Sequence, residues 1–214
     1  MTAPEAGPVR TQRGLERLIY FSDAVVAIAI TLIALPLVDS ARDVASSSTA
    51  KFLSDNSYAL TAAGVSFVVI SVLWRDHHRL FERATGYTPH LLRINMVWLL
   101  CIVGLPVATV LDVYSQRSDR LAVGLYVGVL MVAMAVIRIE ELILYRAGML
   151  ADLEQITAVD LAVRWITVAA TGIALVVAVC VPRIGLWSLL ILVVSGQLEA
   201  LVQRREKAPA TPVD

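Results

Sequence analysis

The sequence predicts an all-α membrane protein. Of its 214 residues, 58% are hydrophobic and only 17% charged, whereas soluble domains hold about 45–50% apolar and about 25% charged residues. The apolar residues also gather into six uncharged runs: Ala24–Val38, Asn56–Trp74, Ile94–Leu111, Leu121–Ile137, Trp165–Pro182 and Ile184–Leu198. A spanning helix takes roughly 20 mainly apolar residues, and snorkelling flanks extend the shorter runs. The expected spans are 17–38, 53–79, 91–113, 120–145, 160–181 and 184–203. They lie within one membrane domain of residues 13–206, between flexible tails at 1–12 and 207–214.

Each span has its own logic. The first, RLIYFSDAVVAIAITLIALPL, begins with a charged entrance and keeps Pro36 for its last turn. The second closes on WRDHHRLF. The third opens with Asn95, an amide inside an apolar run, and Pro106 near Gly104 predicts a bend, because proline removes a backbone hydrogen bond. Only Arg183 separates the fifth and sixth, which implies a tight hairpin at Val181–Gly185. The other connections, VDSARDVASSST, ERATGYTPH, DVYSQRSD and YRAGMLADLEQ, carry turn and charge signals.

With six spans, thirteen of the 18 Lys and Arg fall on the face that holds both termini, so the positive-inside rule makes both termini cytoplasmic. A cleaved signal peptide is disfavoured, since Phe21 and Asp23 interrupt what would be a featureless apolar core. A formal net charge of zero leaves no nucleic-acid footprint. Cys101 and Cys180 sit inside apolar runs and read as packing residues. No cofactor is expected. A metalloenzyme built on Asp76, His77 and His78 is disfavoured, because adjacent helical residues point about 100° apart and no HExxH or CxxC spacing supports a metal site. The chain is not expected to be an enzyme.

Angular position around the first span separates two faces. Asp23 shares a stripe with Ala27, Ile30 and Ala34, mostly small residues suited to close helix packing. The opposite side carries Ala24, Ile28, Thr31, Leu32 and Leu35. Arg17 and Asp23 are six residues apart, too far for an i,i+4 pair, so each needs a partner on another helix. Trp74, His77 and Phe81 share one face of the second span, and Asn95 opens the third at the same end of the membrane. Arg17, Ser22, Asp23, Trp74, His77 and Asn95 are therefore expected to form one buried polar network, since burying them unpaired would cost several kcal/mol each. Arg138 with Glu141, and Asp160 with Arg164, read as solvated pairs at helix ends.

Arg17-x-x-x-Phe21-Ser22-Asp23 ahead of an apolar helix ending in LPL resembles the signature of the transmembrane protein 175 family of potassium channels. Trp74-x-x-His77 with Arg79–Phe81, Asn95 and Pro106 agree with it. The resemblance covers residues 13–111. It implies a bacterial form with one six-helix repeat, assembled as a homotetramer in the cell membrane around a central pore lined by the first helix. It also implies that Ile28 forms a hydrophobic constriction, with Thr31 and Leu35 as further pore-facing positions and Ala24 and Leu32 as secondary lining. The expected permeant ions are K+ and also Rb+ and Cs+. No TVGYG run occurs in the chain, so a ring of apolar side chains would stand where other potassium channels use carbonyl rings. A secondary transporter or a proton-permeable cation pathway is the alternative; carriers usually show broken helices and internal repeats, which the first span lacks by sequence.

Overall fold

A computed structural model of the chain describes residues 12–42, 48–115 and 119–152, and beyond them 164–166, 168–173 and 176. Six α-helices run through the described residues: α1 (Gln12–Leu32), α2 (Leu35–Arg42), α3 (Thr49–Asp55), α4 (Ser57–Glu82), α5 (Pro89–Tyr114) and α6 (Arg120–Arg146). Four stretches are long and apolar enough to cross a membrane: Gln12–Ala41, which joins α1 to most of α2, and the whole of α4, α5 and α6. The chain is a multi-pass, all-helical membrane protein. Residues 164–166, 168–173 and 176 are helical. The rest of the expected span 160–181, the Val181–Gly185 hairpin, the span 184–203 and both tails lie outside the described residues.

Local chemistry sets the helix ends. Pro36 has no N–H, and its ring displaces the carbonyl four residues back. The first span therefore turns at Ile33–Ala34, where the Ala34 N–H reaches the Thr31 carbonyl at 3.2 Å, and restarts as α2 with Pro36 in its first turn. This corrects the expectation of one helix with proline in its last turn. The expected span 53–79 is divided as well: the Asn56 amide donates to the Phe52 carbonyl at 3.0 Å and ends α3 just before α4 begins. The third and fourth spans fall within two residues of their expected limits. Thr88 accepts from Leu91 N–H and caps α5, and Asp119 accepts from Leu121 N–H and caps α6. α5 stays helical through Pro106. α6 ends at Gly148, whose φ of 68° is a left-handed conformation that glycine adopts without strain.

α5 is the centre of the packing. α6 lies along it most extensively, while α1 and α4 pack against it and against each other. Trp98, Ile102 and Leu105 are fully buried there, with Ile70 of α4 and Val127 and Ala133 of α6. A short antiparallel bridge, Ala84 to Leu150, ties the exit of α4 to the exit of α6 through Thr85 N–H on the Met149 carbonyl and Ala151 N–H on the Arg83 carbonyl. At the start of α1, a Cβ on Gly14 would lie 2.6 Å from the Tyr87 hydroxyl, so the missing side chain lets the helix lie on that ring.

The buried face of α1 is Leu15, Leu18, Ser22, Val26, Ala29 and Ile33. The stripe expected to pack, that of Asp23, is turned about 90° away from it: Asp23 and Ile30 are half-buried, and Ala27 and Ala34 are exposed. Ser22 must point inward to reach Asn95, and this rotation carries the larger apolar residues of α1 into the core with it.

Candidate pore face and its polar clamp

α1, α4 and α5 bring most of the expected polar residues together at one end of the bundle. Asn95, fully buried, donates from Nδ2 to Ser22 Oγ at 2.9 Å, and Ser22 donates in turn to the Leu18 carbonyl at 2.9 Å. The other amide atom, Asn95 Oδ1, lies 2.8 Å from His77 Nε2. Since Oδ1 only accepts, Nε2 carries the proton. The imidazole is held flat between Trp98 and Phe81, at centroid distances of 3.9 and 4.3 Å.

A second contact lies nearer the surface. Trp74 Nε1 donates to Asp23 Oδ1 at 2.8 Å, and the Trp74 ring stacks on His78. The network is thus two separate contacts between α1 and its neighbours, one buried and one peripheral. Arg17 is exposed and has no partner among the described residues, which corrects its expected place in the buried network. It lies five residues before Ser22, about 140° around the helix, and points away from the amide that Ser22 faces. The residues of the disfavoured metal reading are each otherwise engaged: Asp76 with Arg75, His77 with Asn95, and His78 with Glu82.

On the other side of α1 the apolar stripe is uncovered. Ile28 is 60% exposed and Leu32 41%, Ala24 and Thr31 are exposed with them, and past the break Leu35, the first residue of α2, is 52% exposed. The Thr31 hydroxyl donates to the Ile28 carbonyl at 2.7 Å, so its oxygen keeps its acceptor capacity at an exposed position. Such an oxygen can accept a cation in exchange for a water.

Two further polar groups escaped the reading of the sequence. Towards the opposite end of the helices from the clamp, Tyr58 donates to Asp112 at 2.7 Å, and Ser66 bonds both Thr109, at 2.8 Å, and Tyr126, at 3.2 Å. Their signal was visible as Ser66, Thr109 and Tyr126 inside apolar runs, but no spacing indicates that these three meet. Thr109 keeps its bond to the Leu105 carbonyl at 2.8 Å, but the buried Tyr126 hydroxyl loses its partner, so Ser66→Ala is expected to cost about 1–3 kcal/mol. Combining it with Tyr126→Phe should recover part of that loss, read by thermal unfolding in detergent.

The second group surrounds Glu141, which is 2% exposed. Arg138 reaches it at 3.2 Å and Arg83 at 3.4 Å, Arg164 also bonds it, and Arg83 holds Asp152 at 2.8 Å. The expectation of a solvated Arg138–Glu141 pair is corrected: a buried carboxylate needs several donors, and the bridge between Ala84 and Leu150 brings Arg83 to it. Asp160, the expected partner of Arg164, lies outside the described residues.

Residues 17–106, which hold α1 through most of α5, match the model of the family described as endosomal/lysosomal potassium channel TMEM175. This segment, less than half of the chain, is similar to the TMEM175 family. Over 122 residues the chain is 33% identical to a potassium channel of Streptomyces collinus, an alignment covering 54% of this chain and 56% of that protein. The chain thus spans a little over half the length of that curated relative. Its fold is similar to that of a crystallised lysosomal potassium-selective channel TMEM175 homolog from Chamaesiphon minutus, with a TM-score of 0.57 and 23% identity, covering 86% of this chain and 99% of the other. Both parts of the clamp, from Ser22 and Asp23 to Asn95, fall inside the matched segment, as do Ile28, Thr31 and Leu35.

Proposed function

We propose that the protein conducts potassium ions passively across the cell membrane as a homotetramer, with four copies of α1 around a central pore and both termini cytoplasmic. The reading rests on one observation: α1 is fixed by one buried and one peripheral polar contact and leaves Ile28 and Thr31 uncovered on another side, with Leu35 exposed just beyond its end. Fourfold assembly turns the Ile28 side chains into a dry ring. An ion crosses it only by shedding part of its hydration, which K+, Rb+ and Cs+ do more readily than Na+. Ala24 and Leu32 flank the ring, and Thr31 oxygens offer replacement ligands beside it. Apolar rings also close pores by dewetting. The surrounding bilayer takes the apolar faces of α5 and α6, where Leu100 and Leu121 are 71% and 80% exposed. The match of residues 17–106 to the TMEM175 family model and the names of the chain's relatives support the same ion.

The test is flux from liposomes holding the purified protein, with K+, Rb+, Cs+ and Na+ compared under equal gradients. Downhill flux that favours K+ over Na+ is expected. Equal passage of all four ions, or none, refutes the proposal. The break at Ile33–Ala34 favours a carrier as second reading, because carriers use interrupted helices at their sites. Flux that saturates and needs a counter-ion or proton gradient would select it.

A further inference from the structure

The uncovered face of α1 does not end at Ala24. Phe21 precedes Ile28 by seven residues and Arg17 by eleven, so each returns to within about 20° of Ile28 around the helix. Both are exposed. Arg13 stands one turn before Arg17, about 40° from it, and is exposed as well. The stripe assigned to the pore therefore begins with guanidiniums, Arg17 lying about 16 Å along the axis from Ile28.

The acids at this end of the bundle are turned elsewhere. Glu16 is exposed but points about 100° from Arg17. Asp23 lies about 120° away on α1, where it accepts from Trp74 Nε1. On α4, Asp76 pairs with Arg75 and Glu82 with His78. Neither Arg13 nor Arg17 has a partner among the described residues. At the far end, α2 contains one acid and one base, Asp39 and Arg42, whose charges cancel. The net charge of the stripe is thus concentrated at one mouth.

We propose that Arg17 sets the direction in which the pore conducts best. Assembly around a common axis gathers its guanidiniums into a positive ring, and a narrow mouth with low-dielectric walls focuses their field. Dilute K+ is depleted there. Entry limits the current when K+ is scarce, so less current flows from the Arg17 end, the cytoplasmic one, than from the far end. The proposal rests on the channel reading above. A plain interfacial arginine of the positive-inside kind would affect insertion and expression, and would leave this asymmetry alone.

The test is the current–voltage relation in equal, dilute K+ on both sides, recorded from patches excised from cells that make the full chain, where all copies face one way. Total salt is varied with an impermeant organic chloride. In the wild type, current from the Arg17 end is expected to be about twofold smaller at ~0.1 M salt, where charges act over about 10 Å, and nearly equal at ~1 M, where they act over about 3 Å. Arg17→Lys should retain the asymmetry, Arg17→Gln should abolish it, and Arg17→Glu should reverse it. Equal wild-type currents at low salt, or an asymmetry that Arg17→Gln leaves in place, would overturn the proposal. Should the variants fail to assemble, the salt series on the wild type decides: an asymmetry that survives ~1 M salt does not come from a screened ring of charge. Absence of K+ flux from the liposomes described above would remove the channel reading and this proposal together. Normal flux with an asymmetry indifferent to Arg17 removes this proposal alone.

Discussion

Ile28→Asn is expected to admit sodium. In the proposed homotetramer, replacing the apolar ring by amides gives a partly dehydrated ion four amide oxygens to bind, so the dehydration cost that separates K+ from Na+ shrinks. A three- to tenfold narrowing of the K+ preference corresponds to about 0.7–1.4 kcal/mol. Competition flux in liposomes measures it directly. The position is suited to the test because Ile28 is 60% exposed and takes no part in the core, so the variant should unfold at the temperature of the wild type. Ile28→Val, which keeps the ring apolar, should leave the preference nearly unchanged. An unaltered ratio in Ile28→Asn would remove Ile28 from the filter and leave Thr31 and Leu35 as the positions to examine.

What the sequence made legible depended on the range of the interaction. The exposed positions Ala24, Ile28, Thr31 and Leu32 follow from helical geometry within α1, and they lie on the uncovered part of that helix; Leu35 is exposed beyond the break. The opposing face was displaced because its orientation is decided between elements: Ser22 turns inward to meet Asn95, 73 residues away, and no periodicity within α1 encodes that distance. Arg17 was misplaced for the same reason, since a charge was assumed to need a buried partner when its side chain points outward. The ion pairs of Glu141 were read as solvated because i,i+3 spacing identifies a pair without showing what covers it. The cover comes from Arg83 and Arg164, one brought in by a backbone bridge and the other from beyond α6. Pro36 did carry a local signal, and it was given too little weight: a proline four residues after Leu32 is enough to interrupt a helix wherever the last turn is expected to lie.

The largest loss of stability should come from Asn95→Leu. This side chain is 0% exposed and uses both ends of its amide, one on Ser22 and the other on His77. Ser22 keeps its bond to the Leu18 carbonyl, so its loss is small. His77 does not recover: its Nε2–H is left in an apolar stack between Trp98 and Phe81, and a buried donor without an acceptor costs about 1–3 kcal/mol. With the misfit of a branched side chain in a filled core, a total of about 3–4 kcal/mol is expected, seen as a lower unfolding temperature in detergent. Removing both partners separates the two causes. In His77→Phe with Asn95→Leu no donor is orphaned and the aromatic stack persists, so much of the stability should return. If the double variant is as unstable as the single one, the damage lies in packing rather than in the unpaired imidazole. Trp74→Phe provides the contrast, since Trp74 is 37% exposed and water can replace it at Asp23: about 1 kcal/mol or less is expected there. The buried amide, more than the charged entrance of α1, is what sets the angle at which Ile28 is presented.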